Sequence, residues 1–104
     1  MNKNLMHEVE TRLLLVLSEL EKQRSMASNY RSDVLPFEDD MKQLHEYVES
    51  AGEYEIAYES MVATIQAVPF SLSGKAAIAL LELGLLFGYK TDLKGDVLFD
   101  RRKA

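Results

Sequence analysis

The chain has 104 residues, with 47% hydrophobic and 28% charged side chains, a net charge of -5 and no cysteine. This size and balance describe one folded domain with a single modest core, and they set it apart from a disordered tail. The missing cysteines exclude disulfides, thiolate metal sites and cysteine nucleophiles, and the acidic balance argues against a protein that binds nucleic acid directly.

The N-terminal "MNKNLMHEVE" has no basic stretch followed by an apolar run and a small-residue cleavage site, so the expected location is cytoplasmic. Leu5, Val9, Leu13, Val16, Leu17 and Leu20 recur at spacings of three and four, which predicts a helix from about Asn4 to Met26. Leu14 and Leu15 carry apolar surface beyond that stripe, as a helix with more than one neighbour would.

"SNYRSDVLPFEDD" reads as punctuation. Asp33 is a candidate cap, Pro36 suits a first helical turn, and Glu38, Asp39 and Asp40 suit the positive end of a helix dipole, so a second helix is expected to begin between Asp33 and Phe37. Phe37, Met41, Leu44, Tyr47 and Val48 form its inward stripe, and Gly52 is its stop.

The next helix holds "GEYEIAYESM". At 100° per residue, Tyr54, Tyr58, Met61, Ile65 and Val68 share one face. Ile56, Ala63 and Ala67 make a second apolar stripe, with Glu55, Glu59 and Gln66 on a polar strip between. Two stripes predict a helix wedged between neighbours, ended by Pro69. Ser71 or Ser73 then caps a fourth helix, "GKAAIALLELGLLFG", which is apolar nearly all round and so belongs in a core or an interface. It is too short for the roughly 20 residues of a membrane span and carries Glu82, so no membrane association is expected. Gly84 interrupts it and Gly88 stops it. Beyond it, Lys94, Gly95 and Asp96 read as a turn, Val97, Leu98 and Phe99 as able to pack back, and Arg101, Arg102 and Lys103 as a basic end. The pattern predicts an all-α fold, a compact, largely antiparallel bundle of about four helices with a short C-terminal extension.

Catalytic patterns are absent. His7 and His45 form no metal pair, the carboxylates lack the Glu-x-x-His of di-metal bundles, and "PFSLSG" resembles neither a nucleophile elbow nor a phosphate loop. Nor is there the Asp-Ser-Leu site of an acyl carrier. No enzyme, no metal and no cofactor are expected.

Charge is unevenly spread. Residues 33–59 hold nine carboxylates against Lys42, a local charge of -8 that leaves +3 for the rest. Such a face can steer a basic partner. Glu38, Asp39, Asp40, Glu46, Glu49, Glu55 and Glu59 are the first contact candidates, followed by Tyr47 and Tyr58, while the stripe shared with Ile65 assigns Tyr54 and Tyr58 first to the core.

The order "GEYEIAYESM", "AVPFSLS", "LGLLFGYKTD" resembles the MafI family of bacterial immunity proteins. The matching positions are Gly52, Glu53, Tyr54, Ala57, Glu59, Pro69, Ser71 or Ser73, Leu83 and Gly88, over about residues 47 to 92. The resemblance implies a cytoplasmic antidote that binds the C-terminal domain of a cognate toxin one-to-one. In such systems the toxin is often a ribonuclease, including EndoU-like ones, whose active cleft is covered. The alternative is a non-catalytic helical adaptor or a self-associating module, with a homodimer formed through the apolar fourth helix.

Overall fold

A computed structural model describes residues 3–88. They form four α-helices, α1 (Lys3–Glu21), α2 (Phe37–His45), α3 (Tyr54–Ala67) and α4 (Gly74–Leu86), with a 3₁₀ segment at Arg24–Asn29 and a π segment at Glu46–Ser50. No strand occurs among the described residues, and the fold is an all-α bundle. The expectations for residues 94–103 and for a C-terminal extension lie outside the described residues.

α1 is the central helix and packs on α2, α3, α4 and the π segment. Its stripe is buried as expected: Val9, Leu13, Val16, Leu17 and Leu20 have no solvent exposure. It stops at Glu21, five residues before the predicted Met26. Two causes act together. The Gln23 side chain donates to the Glu19 carbonyl at 3.0 Å and covers an orphan acceptor of the last turn. No side chain of Arg24–Asn29 is buried, so nothing apolar holds that stretch on the helix axis.

α2 starts at Phe37 with Pro36 in the capping position and no side-chain cap. Asp33, expected as a cap, instead pairs with Arg31 at 2.5 Å. Glu38, Asp39 and Asp40 in the first turn complement the helix dipole in its place. After His45 the turn widens, and the Ala51 N–H donates to the Glu46 carbonyl five residues back at 2.9 Å. Gly52 ends this run with φ of 62°, a left-handed conformation that a side chain would strain.

α3 buries Ala57 and Met61 fully and half-buries Tyr54, Tyr58 and Ile65. Its predicted second stripe is not buried: Ile56 is 45% exposed, and Ala63 and Ala67 also face solvent. The helix wedged among neighbours is therefore α1, and α3 lies at the surface. Val68 is buried in extended backbone and Pro69 follows it.

α4 runs antiparallel to α1, since Ser73 meets Glu19 while Glu82 meets Arg12. Ser73 is the cap, its Oγ accepting from the Ala76 N–H at 3.1 Å. Its own N–H and hydroxyl donate to the two Glu19 carboxylate oxygens at 2.8 and 2.5 Å. Those bonds hold the Glu19 carboxyl below its ordinary range. Ser71, the other candidate, has a different partner: its N–H donates to Gln23 Oε1 at 2.8 Å, and its carbonyl accepts from Gln23 Nε2 at 2.7 Å.

The buried side of α4 is its small side, Ala76, Ala79 and Gly84 with Leu83. Gly84 is favoured by contact rather than by backbone conformation, because a Cβ there would stand 2.8 Å from the Tyr58 hydroxyl and the tyrosine would have to shift. The large side chains point out: Ile78 is 60%, Leu81 46% and Leu86 44% exposed. A helix apolar nearly all round thus puts only its small side and Leu83 in the core here. No polar or charged side chain is buried among the described residues, and the polar ties between helices all lie at the perimeter.

Candidate partner-binding surface

The segment that leads into α2 crosses the outer face of α3 and leaves a cleft of about 300 Å³ between them. Val34 and Leu35, both largely exposed, form one wall, and Ala63 and Ala67 of α3 form the other. Two residues of the exposed apolar stripe of α3, Ala63 and Ala67, are therefore a wall of this cleft, while Ile56 lies outside it. The cleft stays open because Pro36 and the turn at Arg31–Val34, closed by a 3.3 Å bond, carry the chain over rather than against α3.

Asp40 lines the same cleft. Its Oδ2 accepts from the Tyr30 hydroxyl at 2.8 Å and from the Thr64 hydroxyl at 3.1 Å. Burial, with the neighbouring carboxylate adding to it, raises the Tyr30 hydroxyl well above its usual range, so Tyr30 remains a donor. Tyr30 is itself fixed by edge-on contacts with Phe37 and Phe70, with ring centres 5.9 and 6.4 Å away. Asp40 is thus half-buried and held in position, unlike the freely solvated carboxylate its place in an acidic run suggests. Arg31 also lines the cleft but is paired with Asp33, so the Asp40 carboxylate in this mostly apolar cleft suits a Lys or Arg side chain, whose stem can lie on the aliphatic walls while its head meets the charge.

The other acidic candidates separate into two groups. Glu38 and Asp39 are exposed beside Asp40, and Glu38 pairs with Arg24. Glu46 and Glu49 are exposed on the π segment, about 16 Å from Glu38 to Glu49 along the helix axis. Glu55 follows across the Gly52 turn, and Glu59 lies one turn further along the exposed side of α3. Glu49 accepts from His45 Nδ1 at 2.5 Å, and His45 Nε2 reaches Glu21 at 2.9 Å. Burial works to lower the His45 pKa, but the two carboxylates outweigh it and the pKa is raised. Glu49 is therefore already engaged by His45, whose other ring nitrogen joins α2 to Glu21 of α1.

The tyrosines belong to the bundle. Tyr47 is half-buried against the core, and Tyr58 packs on Phe87 at 5.5 Å and over Gly84. Tyr54 donates to Glu10 at 2.8 Å and ties α3 to α1. Sequence reading missed Tyr30, Thr64, Val34 and Leu35 as parts of a site. The one available signal was Val34 and Leu35, two adjacent apolar residues in a stretch otherwise built of turn formers.

Among the described residues, no group of three His, Asp or Glu side chains is placed to hold a metal ion, and no helix is long and apolar enough to cross a membrane. No family model, no curated protein and no solved structure matches the chain.

Proposed function

We propose that this chain is a non-catalytic binding protein for a basic protein partner, and more specifically an immunity protein that neutralises a nuclease-type toxin domain one-to-one. The observation that carries this reading is the cleft between residues 29–35 and α3, with the Asp40 carboxylate in a mostly apolar lining and the exposed Glu38 and Asp39 preceding it in the first turn of α2. A nuclease site gathers Lys, Arg and His to attract phosphate. An acidic face opposes that field and speeds encounter, while a cleft that desolvates one basic side chain supplies affinity. The resemblance of residues 47 to 92 to the MafI family points to the same role.

The test is co-expression with a nuclease toxin domain from the coding sequence immediately upstream, where one is found. The expected result is relief of growth arrest, a co-purifying one-to-one complex, and weaker binding as salt rises. Ala63→Lys places a like charge at the cleft wall and is expected to abolish protection while leaving the helical circular dichroism unchanged. Toxicity that this chain does not relieve, or a complex indifferent to Ala63→Lys, overturns the reading. A second reading, self-association, is favoured by the exposed face of α4.

A further inference from the structure

The outward face of α4 has a pattern as well as a composition. Gly74, Ile78, Leu81 and Leu85 are spaced by four, three and four residues, the seam of a helix that packs along another helix. Ile78 and Leu81 are 60% and 46% exposed, so no described part of the chain covers this seam. The only charged residues of α4, Lys75 and Glu82, are seven apart and flank the seam on one edge. On the other edge stand Ala77 and Gly84, which carry no charge.

This arrangement selects an occupant. In a parallel pair of α4 helices, opposite edges meet, so each charged edge would face Ala77 and Gly84 and make no ion pair. In an antiparallel pair, like edges meet, and Lys75 of each copy stands alongside Glu82 of the other. The edge is self-complementary only under a two-fold axis perpendicular to the helix, and two-fold symmetry is the usual symmetry of homodimers. Glu82 also receives a long 3.4 Å contact from Arg12 of its own chain, which holds it on the edge beside α1.

We infer that α4 is a homodimerisation surface, with two copies packed antiparallel along Gly74, Ile78, Leu81 and Leu85 and closed by two symmetric Lys75–Glu82 pairs. The inference does not rest on the toxin reading, because the seam uses no residue of the cleft. A helix of 13 residues is about 20 Å long, so the contact is smaller than an obligate interface and a reversible equilibrium is expected, to be sought from micromolar concentrations upward.

Sedimentation equilibrium of the full chain across that range tests it, with circular dichroism as the check on folding. The wild type is expected to show a reversible monomer–dimer equilibrium that Leu81→Asp abolishes. Lys75→Glu and Glu82→Lys each set like charges against one another at both symmetric contacts, and each alone is expected to weaken dimerisation roughly tenfold. Mixed in equal amounts, the two variants restore both pairs and form a heterodimer at least as tight as the wild-type dimer. A full chain that stays monomeric overturns the inference and leaves the face to residues 89–104 or to another protein. A dimer untouched by Leu81→Asp, or a mixture no tighter than either variant alone, overturns it equally.

Discussion

α1 and α4 lie side by side and are both rich in leucine, yet they use their leucines in opposite ways. α1 turns Leu13, Leu17 and Leu20 inward and leaves polar residues outside, whereas α4 turns Ala76, Ala79 and Gly84 inward with Leu83 and leaves Ile78, Leu81 and Leu86 at the surface. The reason is spatial. α1 already fills the centre with large side chains, and Tyr58 occupies the space against Gly84, so α4 can come close only on its smallest side. Apolar composition decides that a residue gains by burial, but volume decides which residue is buried.

The sharpest way to break this contrast is to shorten the same residue in both helices. Leu17→Ala is expected to cost about 2–5 kcal/mol in urea denaturation, because Leu17 is fully buried and leaves a cavity. The opposite operation, adding volume at the small seam, comes next. Gly84→Ala gains about 1 kcal/mol of helix propensity but overpacks the Tyr58 contact at a cost of about 1–3 kcal/mol, so a net loss near 1 kcal/mol is expected. Adding Tyr58→Phe should recover stability relative to Gly84→Ala alone, and a double-mutant cycle with no coupling would show that the Tyr58 hydroxyl moves aside freely.

Loss of the polar tie between α1 and α4 follows in size. Ser73→Ala removes the cap of α4 and should cost about 1 kcal/mol at neutral pH. It also removes the hydroxyl bond to Glu19, the larger of the two that lower its pKa, and leaves the backbone N–H bond in place. In the wild type that contribution is complete above about 4.5 and is lost as pH falls through the lowered value, so the variant should show less acid sensitivity. The His45 contact has the opposite sign. With its pKa raised above 6.5, its contribution is complete below 6.5 and is lost as pH rises through the raised value. Nuclear magnetic resonance titration of His45 should show its pKa falling in Glu21→Gln and in Glu49→Gln. Leu81→Ala completes the series with the smallest effect, within about 0.5 kcal/mol of wild type in the monomer. A loss comparable to that of Leu17→Ala would mean that the outer face of α4 is covered in the folded monomer.

Much of this fold was legible in the sequence where polarity contrasts around a helix. The α1 stripe, the start of α2, the Gly52 and Gly88 stops and the Ser73 cap all rest on local chemistry. α4 offered no contrast, so periodicity could identify the helix but not its orientation. Ile56, Ala63 and Ala67 form a true stripe on α3, but whether a stripe meets a neighbour depends on where Pro36 directs the chain. The site was less legible than the fold. Asp40 looked like one carboxylate among nine, and only the convergence of Tyr30 and Thr64 from separate elements distinguishes it. Glu49 looked available, yet His45 engages it.

The antiparallel pairing of α1 with α4 also governs when the chain can close. The ties between them join residues 54 and 70 positions apart, Glu19 to Ser73 and Arg12 to Glu82, which is a distant pairing for a small helical protein and slows its closure. Of the four helices, α1 is made first and its principal neighbour last. At about 5–20 residues per second, the apolar stripe of α1 waits on the order of several seconds for α4 to be made. For that interval the leucines that end as the driest part of the molecule have only α2, the π segment and α3 to cover them, and the side that awaits α4 is the surface a nascent-chain chaperone would meet.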